Sequence, residues 1–275
     1  MSRRSLAVLT AAVAFLYLPI AILAVFSFNA SRLMAFPLSG FTLDWYRSLA
    51  GNTNFQNGFV TSFLVAQPVG ILGAGLGLTA AMALIAAGRR LRIMLTALLL
   101  VPFLVPKTVL SIAQTMVLSR LGLGRGAATL ILAQVIVVIP FTTAIIASVL
   151  IRLDPRLAEA ARDLGASPWI CFRRITFPQI KPAVMAAYSM GVILSLADLT
   201  IGLYLAGRTQ PLSLIVASQF RRELSPDLNA MQVAVLVLTA LIVVLTEVYQ
   251  RRRDARRRGR APVRQATGET LERPA

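Results

Sequence analysis

Long apolar runs alternate along this chain with short polar connections that carry arginines. Crossing a hydrocarbon core of about 30 Å takes roughly 20 residues of helix. Stretches that satisfy this lie at 6–28, 59–87, 91–118, 127–151, 183–206 and 230–249. The pattern predicts an all-α, polytopic membrane protein with about six transmembrane helices. Its membrane domain is expected over 1–250, followed by a basic tail over 251–275. The first span follows Arg3 and Arg4 as a secretory leader would, but it is long and ends at Phe28-Asn29-Ala30, a poor cleavage site, so it is expected to be retained. Three connections are long enough to carry function: 29–58 and 207–229 on one side, and 152–182 on the other.

Composition agrees with the pattern. Apolar residues make up 57% of the chain, charged residues 14%, and the mean hydropathy is +0.73. Soluble domains run at about 45–50% apolar and about 25% charged. The formal net charge of +17 reflects topology rather than nucleic-acid binding, because no aromatic-interleaved or soluble basic module accompanies it. Twenty basic residues, from Arg3 and Arg4 through Arg89, Arg152 and Arg174 to the tail, fall on one side, seven on the other, and Lys107 lies within a span. Basic residues near span ends stay in the cytoplasm, so both termini are expected inside. The tail reads as disordered and attracted to anionic lipid headgroups. With one cysteine, Cys171, and no histidine, no intrachain disulfide is possible, and no metal site, cofactor or catalytic constellation is expected.

The inner connection has the densest punctuation. Asp154 can cap a short helix with Pro155 at its first position, and Gly165 can end it. Ser167-Pro168 repeats the start for a second short helix, which Pro178 is expected to stop. Leu157, Ala160, Ala161 and Leu164 share one helical face, whose small side chains allow another protein surface close approach. By periodicity alone, an amphipathic loop lying on the membrane fits equally well.

Glu159-Ala160-Ala161, Gly165, Ile175 and Pro178 stand at the spacing of the Glu-Ala-Ala…Gly…Ile-x-Leu-Pro signature, and the chain therefore resembles the permeases of binding-protein-dependent ABC importers. Phe177 replaces the signature leucine, a conservative apolar change. The resemblance implies that the two helices dock into a separate ATP-binding-cassette ATPase subunit, with Glu159 and Gly165 central. It also implies a second permease subunit and an extracytoplasmic solute-binding protein as partners in the inner membrane. No G-x-x-x-x-G-K-[ST] loop is present, so the chain is not expected to hydrolyse ATP. Gly73 and Gly77, inside the second span, suit close helix packing.

Over nearly its whole length the chain is similar to the permease C subunits of spermidine/putrescine importers. The stretches that carry this are Leu16-Tyr17-Leu18-Pro19-Ile20, Ser27-Phe28-Asn29-Ala30-Ser31-Arg32, Gly40-Phe41-Thr42-Leu43-Asp44-Trp45-Tyr46, Ala158 to Ser167, and Leu224-Ser225-Pro226-Asp227-Leu228-Asn229-Ala230. Related permeases serve phosphonates, opines and other small solutes. A multiply charged cation needs acidic or aromatic groups along its path. Asp198, within the fifth span, is the candidate, although Ala197 stands where the polyamine-type pattern has a second acid. Its roles stay open: lining the path, a buried pair with Lys107 or a partner's arginine, or a surface position. Pro102 and Pro106 beside Lys107 predict a kink or break in the third span. Trp45 and Tyr46 suit either a binding-protein dock or a place at the bilayer interface. An ion-coupled transporter should carry more ionisable residues inside its spans, and an enzyme should show a cluster of acid, base and nucleophile.

Overall fold

The computed structural model describes residues 3–31, 37–220 and 229–237, together with 240, 241, 244 and 248. Two compact units divide the chain, Met1–Ala234 and Val235–Ala275, and every helix named below belongs to the first. Residues 238, 239, 242, 243, 245–247 and 249 of the sixth predicted span, the basic tail, and Arg32, Arg221, Arg222, Glu223 and Asp227 of the connections over 29–58 and 207–229 lie outside the described residues.

The first span forms α1 (Arg3–Phe26), whose residues 5–22 are exposed throughout. An apolar helix with so little packing within its own chain belongs against lipid or another subunit. After it the chain folds back on itself. Trp45 Nε1 donates to the Asn29 carbonyl at 2.8 Å, Tyr46 Oη and Ser27 Oγ lie 2.7 Å apart, and residues Asn29 and Phe41 form an antiparallel bridge. Trp45 and Tyr46 thus fasten the connection over 29–58 to the end of α1, leading into the short α2 (Asp44–Gly51).

The core is built from α3 (Thr53–Ala86), α6 (Ala127–Leu150) and α9 (Phe177–Leu196). Between α3 and α6 the third span is divided into α4 (Arg89–Leu104) and α5 (Lys107–Arg120), bent by 104°. The break falls at Val105-Pro106, where Val105 is extended as a residue before proline must be, while Pro102 is absorbed inside α4. Beyond α6 come α7 (Arg156–Asp163), α8 (Pro168–Cys171) and a π-helical turn at Phe172–Thr176 that runs directly into α9. The fifth predicted span is therefore shifted and interrupted. Its helix runs to Leu196, breaks at residues 197–199, and resumes as α10 (Thr200–Leu205), before α11 (Leu212–Phe220). Among the described residues four helices are long and apolar enough to cross a membrane, and the bent α4–α5 pair makes a fifth candidate.

Small residues and apolar side chains hold the three core helices together. One cluster contains Val65, Val69, Leu130, Ala133, Val138, Ile201 and Leu205; another contains Ala74, Ala81, Ile146 and Ala187. Because lipid tails are as apolar as leucine, helices in a membrane associate through close van der Waals packing and hydrogen bonds. Gly73 and Gly77 serve that purpose. Thr142 Oγ1 donates to the Gly73 carbonyl at 2.7 Å, and a Cβ on Gly77 would stand 2.3 Å from Thr142 Oγ1 and 3.0 Å from its backbone carbonyl carbon. A Cβ on Gly191 of α9 would come 3.0 Å from the Gly70 Cα.

Gly77→Ala should therefore destabilise the chain by about 1–3 kcal/mol through overpacking. Gly75→Ala, where a Cβ meets nothing within 4 Å, should have almost no effect. Thermal unfolding of the two variants in detergent, compared with wild type, measures the difference.

Candidate functional site

The connection over 152–182 folds into two short helices standing clear of the core, and its punctuation works largely as the sequence suggests. Asp154 Oδ1 accepts from Arg156 N at 3.0 Å and Ser167 Oγ accepts from Ile170 N at 3.4 Å, so each helix begins with a side-chain cap. Gly165 adopts φ +82°, the left-handed conformation that closes α7. Its N–H donates to the Arg162 carbonyl at 2.8 Å, and Ala166 N donates to Ala161 O at 3.0 Å. These two bonds form a Schellman motif, and no neighbour would obstruct a Cβ on Gly165, so the backbone conformation is what selects glycine there.

Two expectations need correction. Pro178 does not stop the second helix. The π-helical turn ahead of it bonds Phe177 N to the Phe172 carbonyl, and the helix continues without a break through Pro178 into α9, the wide turn accommodating the missing N–H. Ala161 does not share the outward face with Leu157, Ala160 and Leu164. It is half-buried together with Ala158, because α7 rests on the buried Cys171, whose Sγ lies 3.9 Å from the Ala158 carbonyl and 3.8 Å from that of Ala166. Outward lie Glu159, Ala160 and the apolar Leu157, Leu164, Trp169 and Ile170, with Leu164 89% exposed. Trp169 stacks on Phe172 at 5.7 Å, stiffening the second helix. Ile175 is half-buried, and behind the element lies a cavity of about 620 Å³ bounded by Arg92, Asp154, Ala158, Ile175 and Gln179. Arg92 braces this end by donating to the Leu84 and Ala87 carbonyls at 3.0 Å, which completes the last turn of α3.

The second candidate centre lies where both broken helices meet. Asp198, in the break after α9, has a side chain only 3% exposed. Its Oδ1 accepts from Lys107 Nζ at 2.8 Å, while Oδ2 accepts from Ile201 N at 3.0 Å and so caps α10. The Asp198 carbonyl in turn accepts from Ser213 Oγ at 2.9 Å. Lys107 opens α5 immediately after the elbow, and its side chain is 49% exposed. Both residues line a cavity of about 440 Å³, with Gln134 and Ser195 among the polar groups and Phe103 and Phe141 packed edge to face at 4.8 Å.

The Lys107 pairing was among the alternatives open from sequence; the partners Gln134, Ser195 and Ile201 were not. Ser195 Oγ donates to Gln134 Oε1 at 2.6 Å inside the core, and Tyr188 Oη likewise donates to Gln67 Oε1. Glutamines isolated within apolar runs were the signal that could have found them, since a buried amide needs a partner. Among the described residues no group of three His, Cys, Asp or Glu side chains could hold a metal ion.

Comparison with known proteins matches this architecture. A family model described as "Binding-protein-dependent transport system inner membrane component" matches residues 73–259. The spermidine/putrescine transport system permease protein PotC of Escherichia coli (strain K12) is 31% identical over 244 residues, covering 88% of this chain and 92% of the relative. The putrescine transport system permease protein PotI of the same strain is 33% identical over 240 residues, 84% of each chain. In fold, a chain in the crystal structure of a bacterial ABC transporter involved in the import of the acidic polysaccharide alginate superposes with a TM-score of 0.71 at 15% identity, covering 90% of this chain and 94% of that one. The family match spans the second half of α3, all of α6 and α9, the two-helix element and Asp198, and the chain belongs to the family of binding-protein-dependent transport system inner membrane components, as a multi-pass transporter subunit.

Proposed function

We propose that this chain is the permease subunit of a polyamine importer of the spermidine/putrescine type, driven by ATP hydrolysis in separate ATP-binding-cassette subunits. It pairs with a second permease subunit and receives its solute from an extracytoplasmic binding protein. Both termini face the cytoplasm, which puts the two-helix element on the ATPase side and lets the basic tail lie against anionic headgroups. The observation that carries the substrate class is similarity to two polyamine permeases across at least 84% of the chain, joined to a buried carboxylate on the wall of a cavity edged by aromatic rings.

The mechanism follows from what each site offers. Leu157, Leu164, Trp169 and Ile170 are apolar side chains held in water by a rigid, doubly capped element, so burying them in an ATPase groove is favourable. Gly165 fixes the turn that shapes this knob, and Glu159 offers an exposed carboxylate on it. Transmission requires that the ATPase pair bind the knob differently in its open and closed states, since coupling is a difference in binding free energy. The knob runs through the π-helical turn into α9, and α9 ends at Leu196, two residues before Asp198, which gives the motion a helical route to the cavity. There Asp198 offers a cationic solute its carboxylate.

Glu159→Lys and Gly165→Arg should each abolish uptake while leaving membrane insertion intact, because both put a bulky cation on the docking face. Co-purification of the ATPase subunit, measured alongside uptake, checks this; wild-type uptake in either variant would refute the docking role.

Proteoliposomes containing the chain with its partners, supplied with binding protein outside and ATP inside, should accumulate labelled spermidine or putrescine. Asp198→Asn should lower that uptake by about tenfold or more, the equivalent of roughly 1.4 kcal/mol. If binding protein stimulates ATP hydrolysis but neither polyamine enters, the solute is of another class, such as a phosphonate or an opine.

A further inference from the structure

Asp198 and Lys107 are unequal partners. The carboxylate is almost completely buried and held in place by Ile201 N on its other oxygen, whereas the lysine side chain is half exposed and hangs from the first residue of a helix beside an elbow. A buried carboxylate cannot be left unpaired without a large desolvation cost, so it needs a cation in whatever state the protein adopts. The fixed member is the acid. The member free to leave is the ammonium, whose long stem can carry it back to the exposed mouth of the cavity.

We propose that Lys107 is an internal stand-in for the solute's ammonium group: it occupies Asp198 while the cavity is empty and must withdraw when a primary ammonium of the solute arrives. This rests on the polyamine reading above. Exchanging one primary ammonium for another keeps the charge, the hydrogen bond to Oδ1 and the desolvation of Asp198 nearly constant, so loading costs little for an ammonium and more for a solute that cannot donate in the same way. An empty cavity is at the same time plugged by a tethered cation that opposes leakage of other cations. Phe103 and Phe141 beside the pair give the displaced or incoming charge an aromatic surface. Lys107 is thus a specificity-determining residue of the pathway.

The chain contains two lysines, Lys107 and Lys181, so amine chemistry reads the exchange directly, with Lys181 as internal reference. The complete transporter, with its partner subunits and binding protein in lipid nanodiscs, is held in the ATP-bound state by a non-hydrolysable nucleotide. It is then acetylated briefly with N-hydroxysulfosuccinimide acetate and analysed by mass spectrometry. Spermidine should raise the ratio of Lys107 to Lys181 acetylation several-fold. In Asp198→Asn the ratio should already be high and should not respond to spermidine. Lys107→Arg, which can grip the carboxylate through two N–H groups, should slow uptake several-fold while ATP hydrolysis stimulated by binding protein persists. An unchanged ratio in a preparation whose proteoliposomes do take up spermidine overturns the exchange and leaves the polyamine reading standing. The same rise with magnesium chloride at matched ionic strength also overturns it, as screening of the pair would. Absence of uptake of either polyamine overturns both.

Discussion

A helix that stops inside a bilayer exposes backbone amides and carbonyls where no water can reach them, and each must find a partner within the protein. Among the described residues this chain stops helices within two of its apolar segments, after Leu104 and after Leu196, and one side chain resolves much of the difficulty. Asp198 accepts the Ile201 amide with one oxygen, and its carbonyl is taken by Ser213. With the other oxygen it holds Lys107, the residue that restarts the third span beyond its elbow. The two broken helices, which also pack against each other directly, are therefore bridged by a single buried carboxylate. The cavity exists because the backbone is broken there, and it is polar on one wall because the break had to be capped.

Around that junction the core is conventional membrane packing. Gly70, Gly73, Gly77 and Gly191 let α3, α6 and α9 approach until backbone meets side chain directly, and Thr142 adds a hydrogen bond across the closest crossing. Such a core is stiff, which is compatible with the proposed transmission along α9. At the far end of that helix, the π-helical turn at Phe172–Thr176 provides the one wide turn through which the two-helix element is joined. The element makes little use of its own apolar side chains. Leu164 and Trp169 remain largely exposed, whereas Cys171, Ala158 and Ala161 do the internal packing. Large apolar groups left exposed on a well-capped scaffold are available to a second surface, which is what the proposed docking role uses.

The sequence by itself determined the number of apolar runs, the helical class, and the boundaries that depend on local chemistry. Capping residues act within a few positions of one another, so Asp154, Gly165 and Ser167 could be read correctly without any knowledge of the fold. Prolines were legible only in part. Pro106 broke its helix as expected, but Pro102 was absorbed and Pro178 was carried into α9, because the fate of a missing N–H depends on the hydrogen bonds of the preceding turn. What only the tertiary structure decided is everything that joins distant positions. Residues 107 and 198 are 91 apart in sequence, as Gln134 and Ser195 are 61 apart, and no periodicity encodes such pairs. The direction of Ala161 was settled the same way, by the second helix against which α7 rests. Local rules fix where a helix begins and ends, but which of its faces is buried is a property of the neighbours, and those come from elsewhere in the chain.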